Sequence, residues 1–68
     1  MGLECMACEI AVKVALEVSG VGDAAAAAKA ILAGLKHAGI SVPEEKIVQA
    51  IIDFGNDPEK ICKAIGAC

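Results

Sequence analysis

The sequence has no Arg, no Trp and no Tyr, a single Phe and a single His. It also carries more acid than base, nine carboxylates against six Lys, for a formal charge of -3. Without Arg, a basic patch or aromatic stacking platforms, a nucleic-acid interface has nothing to be built from. With one His and no Arg, no nucleophile, base and orienting group can be assembled. No catalytic residue and no enzymatic activity are therefore expected, and no metal site or cofactor. No stretch of about 20 apolar residues occurs, so no segment is expected to span a bilayer. Glu4 and Glu9 interrupt the apolar start and no basic segment precedes it. No signal peptide is expected, and the chain reads as a mature product.

What is present is apolar. Hydrophobic residues make up 57% of only 68. That excludes disorder, which needs low hydrophobicity and high net charge, and the length fits a single domain over 1–68. A domain of about 60 residues buries only about 60% of the surface its unfolded chain exposes. The composition therefore predicts apolar surface left over, to be covered by a membrane, a lipid or another chain.

The four cysteines, Cys5, Cys8, Cys62 and Cys68, sit at the two ends. Four cysteines allow three pairings. If the first and last segments are antiparallel helices, advancing along one means retreating along the other. Cys5 then meets Cys68 and Cys8 meets Cys62. Cys5 and Cys8 are three apart and share a helix face. Zinc would favour two Cys-x-x-Cys pairs on tight turns, yet the second pair here is Cys-x5-Cys. A redox Cys-x-x-Cys would want a βαβ setting, which is absent. Two free pairs in a reducing compartment are the remaining rival. The disulfide reading implies an oxidising compartment.

The apolar spacing and the caps predict helices throughout. The first runs over Leu3–Ser19, with Glu9, Lys13 and Glu17 as a narrow polar stripe in which Glu9 and Lys13 are placed to pair. Cys5, Cys8, Val12 and Leu16 lie on one face, and Ile10, Val14 and Val18 on another. Ser19-Gly20-Val21-Gly22 breaks it. The second spans Ala24–Ala38 behind an Asp23 N-cap. Ile31, Leu32 and Leu35 are its bulk, Lys29, Lys36 and His37 its wet side, and Gly39 its stop. Its alanine run is strong helix former, or a small-residue surface for close helix approach. The third spans Pro43–Phe54. Ser41-Val42-Pro43-Glu44 fits a capping box, Ile47, Val48, Ile51 and Ile52 form the apolar side, and Glu45, Gln49 and Asp53 the polar side. The fourth spans Pro58–Ile65 behind Asp57, with Ile61, Cys62 and Ile65 inward and Gly66 closing it.

The opening Gly2-Leu3-Glu4-Cys5-Met6-Ala7-Cys8 and the ending Asp57-Pro58-Glu59-Lys60-Ile61-Cys62-Lys63-Ala64-Ile65-Gly66-Ala67-Cys68 resemble the two ends of saposin-like proteins. The last eight residues are especially similar to the amoebapore-like branch. The middle of the chain is similar only in helical pattern. The family usually has six cysteines, and the middle pair is missing here. The chain is also shorter around Leu35 to Pro43. Gly66 stands near where amoebapore-type chains can place a pH-sensing His, so no His-triggered dimer switch carries over.

The resemblance implies an all-α leaf of four to five helices, stapled by two disulfides joining the N- and C-terminal helices. It implies a secreted or lumenal protein that binds phospholipid, as a homodimer or higher homo-oligomer, with no nucleic acid. The leading expectation is a membrane-interacting protein that permeabilises bilayers. The alternatives are a lipid-binding, lipid-presenting activator of lipid hydrolases and a helical dimerisation module without lipid function. Ile10, Val14, Val18, Leu35 and Phe54 are the expected lipid contacts, and Lys13, Lys29 and Lys36 the expected headgroup contacts. Ile31, Leu32, Ile47, Ile51 and Ile61 are expected in the core. Protonating His37 and some carboxylates removes negative charge, so bilayer binding is expected to favour acidic pH.

Overall fold

The computed structural model describes residues 2–20 and 22–68. Met1 and Val21, the latter within the predicted break after the first helix, lie outside the described residues. Among these residues there are four helices and no strand: α1 (Leu3–Ser19), α2 (Ala24–His37), α3 (Glu44–Phe54) and α4 (Pro58–Ala64). Each helix packs against its chain neighbours and α1 closes the ring against α4. α1 and α3 therefore occupy opposite corners.

Local chemistry sets the boundaries. The Asp23 carboxylate accepts from the Ala26 N–H at 3.1 Å, and the Asp57 carboxylate from the Lys60 N–H at 3.3 Å. Each satisfies a donor that a helix start leaves orphaned. The predicted capping box of α3 does not form: its N-cap is Pro43, with no side-chain cap, and the Pro43 carbonyl accepts from Lys46 N–H at 3.1 Å. Pro43 holds Val42 extended, so Val42 cannot be the first helical residue that a Ser41 cap would need. Pro43 is itself extended at ψ 138° and the helix starts at Glu44, leaving Ser41 two residues short of the cap position. Glu44 and Glu45 instead place negative charge in the first turn, where the helix dipole favours it.

Two helices end in the same hydrogen-bonded turn. After α4, Gly66 at φ 85° lets Ala67 N–H reach the Cys62 carbonyl at 2.9 Å, and Gly66 N–H reaches Lys63 at 3.2 Å. After α2, Gly39 at φ 79° does the same, with Ile40 N–H on the Leu35 carbonyl at 2.8 Å. This is the Schellman arrangement, and it needs a left-handed residue. The first turn carries Cys68 back along α4. The second buries Ile40 over Leu35.

The disulfides are Cys5–Cys68 and Cys8–Cys62, with Cα atoms 4.6 and 6.1 Å apart. Both tie α1 to α4 and its tail, and neither reaches α2 or α3. The core is aliphatic, with Val12, Ile31, Leu35, Ile47, Ile61, Cys8 and Cys62 fully buried. Of the expected core, Ile31, Ile47, Ile51 and Ile61 are buried and Leu32 is partly so. Ile52, expected on the apolar side of α3, is exposed.

The radius of gyration is 10.0 Å, against about 11 Å for a compact chain of this length. The surface of 4037 Å² matches the roughly 4,000 Å² expected of a folded monomer of this mass. The molecule is thus a closed bundle and not an open leaf.

α1 and α2 meet closely at Gly34, where an added Cβ would lie 3.0 Å from the Ala11 Cβ. The close approach proposed for the alanine run falls here instead. Within that run Ala27 and Ala28 are core, while Ala25 and Ala26 are exposed. Gly34→Ala should be near neutral, because about 1 kcal/mol of helix propensity offsets the crowding. Gly34→Val should cost about 1–3 kcal/mol through overpacking. Urea melts of the two variants test this, and equal stabilities would mean the contact is not tight.

Candidate functional site

The unusual element is α1, which is apolar on two opposite sides. Its inward face is Cys5, Cys8, Val12 and Ala15. At about 100° per residue, Ile10 lies about 180° away from that face. Leu3, Met6, Ile10, Val14 and Val18 form a ridge down the outside, 84, 51, 62, 54 and 81% exposed. From Met6 onward the residues are four apart, so their side chains stack along one stripe. This is a continuous aliphatic surface about four turns long.

The sequence placed Ile10, Val14 and Val18 on this face but missed Leu3 and Met6. The signal was available: stepping back four from Ile10 gives Met6, and Leu3 is one turn earlier. Phe54, 40% exposed at the end of α3, and Ile52, 64% exposed, lie on the opposite corner from α1 and do not extend the ridge. Leu35 is fully buried in the core. It points inward beside Ile31, so in this conformation it packs protein and not lipid.

The borders of the ridge differ. Toward α2 they are small, with Ala11 against Gly34, and carry the exposed Glu4 at the N-terminal end. Toward α4 runs the polar ridge Glu9, Lys13 and Glu17. Open grooves there are lined by Glu9, Ile10, Lys13, Asp57 and Glu59, and by Lys13, Leu16, Glu17 and Asn56. Of the three expected headgroup lysines only Lys13 borders the ridge. Lys29 and Lys36 are exposed on α2, but sit roughly 150° around that helix from Gly34, which faces α1. They cannot serve the same face.

The expected Glu9–Lys13 pair does not form. Glu9 turns to the Cys5–Cys68 bridge, its carboxylate 3.4 Å from the Cys5 sulfur and 3.9 Å from that of Cys68. A disulfide sulfur carries no proton, so these are packing contacts and not hydrogen bonds. Cys5, Glu9 and Cys68 have metal-like spacing, but metal ligation needs a thiolate and both sulfurs are spent in the bridge. The ion pair that does form is Glu59–Lys63, at 3.5 Å and exposed, of a kind worth little to stability. Lys13 and Glu17 have no ion-pair partner among the described residues. No helix of the described residues is long and apolar enough to cross a membrane.

Comparison of the chain with protein-family models, with curated proteins and with solved structures finds no match.

Proposed function

We propose that this is a membrane-interacting, saposin-like protein that binds bilayers with the outer face of α1 and permeabilises them, acting outside the reducing compartments of the cell. The observation that carries the reading is the ridge Leu3, Met6, Ile10, Val14 and Val18: a closed, disulfide-stapled bundle still leaves five large aliphatic side chains side by side. A contiguous apolar patch rimmed by polar residues marks an interaction surface. A helix of this kind lies in the membrane plane, its apolar face at the acyl boundary. Fully burying one such side chain is worth about 1.5–3 kcal/mol, so covering these five half- to mostly exposed ones has a gross gain of about 5–10 kcal/mol. Wedging one helix into one leaflet strains that leaflet, which is the proposed route to leakage.

Two other readings have specific support. Neither disulfide reaches α2 or α3, so that hairpin could swing away and expose the core to lipid, as lipid presentation would require. The ridge also suits a second copy's α1, since residues four apart form the ridges by which helices interdigitate. Vesicle dye release without added enzyme supports the leading reading. Lipid extraction without release supports the second. A homodimer with no vesicle binding supports the third. No enzymatic role is proposed.

Binding should strengthen as pH falls from 7.5 to 4.5. The carboxylates nearest the ridge are Glu9 and Glu17 on the α4 side and Glu4 on the α2 side, with Asp57 and Glu59 across the groove from Glu9 and Lys13 the cation beside them. Protonating any of the carboxylates lowers the desolvation cost of approaching the interface. Vesicle co-sedimentation across that range measures this, and flat or falling binding would contradict it.

A further inference from the structure

We propose that the α1 face selects bilayers of zwitterionic, phosphocholine-type headgroups over anionic ones at neutral pH. This rests on the membrane reading above and names the lipid class that reading leaves open. Membrane-surface helices ordinarily reach anionic lipid through basic residues along the polar face. Here the rim is built the other way. The ridge alongside Ile10 and Val14 reads Glu9, Lys13, Glu17, one turn apart: negative, positive, negative. Asp57 stands across the groove on the same side, next to Glu59, whose charge Lys63 offsets. The other lysines do not correct this rim. Lys63 is paired with Glu59, and Lys29 and Lys36 belong to the far side of α2. Lys46 is on α3 at the opposite corner, and Lys60 lies about 100° around α4 from Glu59.

A phosphocholine headgroup carries an anionic phosphate and a cationic quaternary ammonium. Lys13 offers an ammonium to the first, and Glu17, one turn further along and beside the ridge, offers a carboxylate to the second. Both are placed at the edge of the apolar ridge, where headgroups lie once the side chains beneath them have entered the acyl region. An anionic headgroup without a cation finds one lysine and several carboxylates. For a formal charge of -3, a surface at about -30 mV disfavours binding by more than tenfold.

The test is co-sedimentation of the oxidised protein at pH 7.4 and low salt. One set of vesicles is pure phosphatidylcholine and the other contains a third phosphatidylglycerol. The expected result is at least tenfold weaker binding to the anionic set, with the gap closing in 1 M salt, where the Debye length is about 3 Å. The double variant Glu9→Gln with Glu17→Gln should narrow the gap severalfold at low salt. Lys13→Gln should weaken binding to pure phosphatidylcholine two- to fivefold. Equal or tighter binding to the anionic vesicles overturns the lipid preference and leaves the membrane reading standing. Binding to neither set overturns both.

Discussion

Ile10→Asp should weaken vesicle binding by at least tenfold and leave the bundle folded. Ile10 is at the middle of the exposed ridge, opposite the core face of α1. The substitution removes about 1.5 kcal/mol or more of apolar transfer, already a factor of ten, and places a charge where the acyl boundary would be. The folded state loses little, because the side chain is 62% exposed and the helix-propensity difference is within about 0.7 kcal/mol. The control is the same change at Ile52, a similarly exposed aliphatic residue on α3 at the opposite corner. Ile52→Asp should leave binding within twofold. Circular dichroism of both variants confirms the fold. Equal losses from the two would mean that binding follows bulk hydrophobicity and not the α1 face.

The second large effect concerns the two staples. Cys8→Ala with Cys62→Ala should destabilise the protein by about 4–5 kcal/mol, and Cys5→Ala with Cys68→Ala by about 2–3 kcal/mol. Their sequence separations, 54 and 63, make either bridge alone worth roughly 4 kcal/mol in chain entropy. With one bridge in place, the other closes only the short segments between Cys5 and Cys8 and between Cys62 and Cys68. Losing either bridge alone therefore costs the same chain entropy, about 3 kcal/mol for a loop of about ten residues, and packing makes the difference between them. Cys8 and Cys62 are fully buried among the core isoleucines, whereas Cys68 is exposed. Emptying the buried pair leaves a cavity in that core. At about 4–8 °C per kcal/mol for a domain of this size, the two melting temperatures should differ clearly. Equal shifts, or a larger shift for the outer pair, would contradict this. Full reduction removes the entropic contribution as well and should unfold the chain.

The helices were legible because their ends carry local signals. Asp23 and Asp57 cap through their own carboxylates, and Gly39 and Gly66 supply left-handed turns. The Ser41 capping box misled because two signals share four residues there, and the backbone restriction imposed by Pro43 outweighed the side-chain one. The cysteine pairing followed from antiparallel geometry alone. Less visible was which apolar side of α1 would be covered, since the composition of the two sides is alike. The cysteines decide it: Cys5 and Cys8 face α4 and its tail, so Ile10 and its neighbours must face out. Leu35 could have been sorted by spacing: it stands four residues after Ile31, on the same face of α2, and shares its burial. Gly34 was a signal left unused, since a glycine within a helix is costly unless packing requires it. The surplus of apolar residues over what so small a core can hide falls mostly on one stripe of one helix, with Ile52 and Phe54 apart from it on α3.

The absence of Trp and Tyr offers a direct test of the central claim, that the closed bundle meets the bilayer with α1. A single Trp can be introduced at Val14 on the ridge and, separately, at Gln49 on the exposed polar side of α3. With both disulfides intact and phosphatidylcholine vesicles present, Trp at position 14 should shift to the blue and be quenched by lipids brominated on the acyl chains. Trp at position 49 should show neither change. Quenching at position 49 and not at 14, or equal quenching at both, would contradict the account.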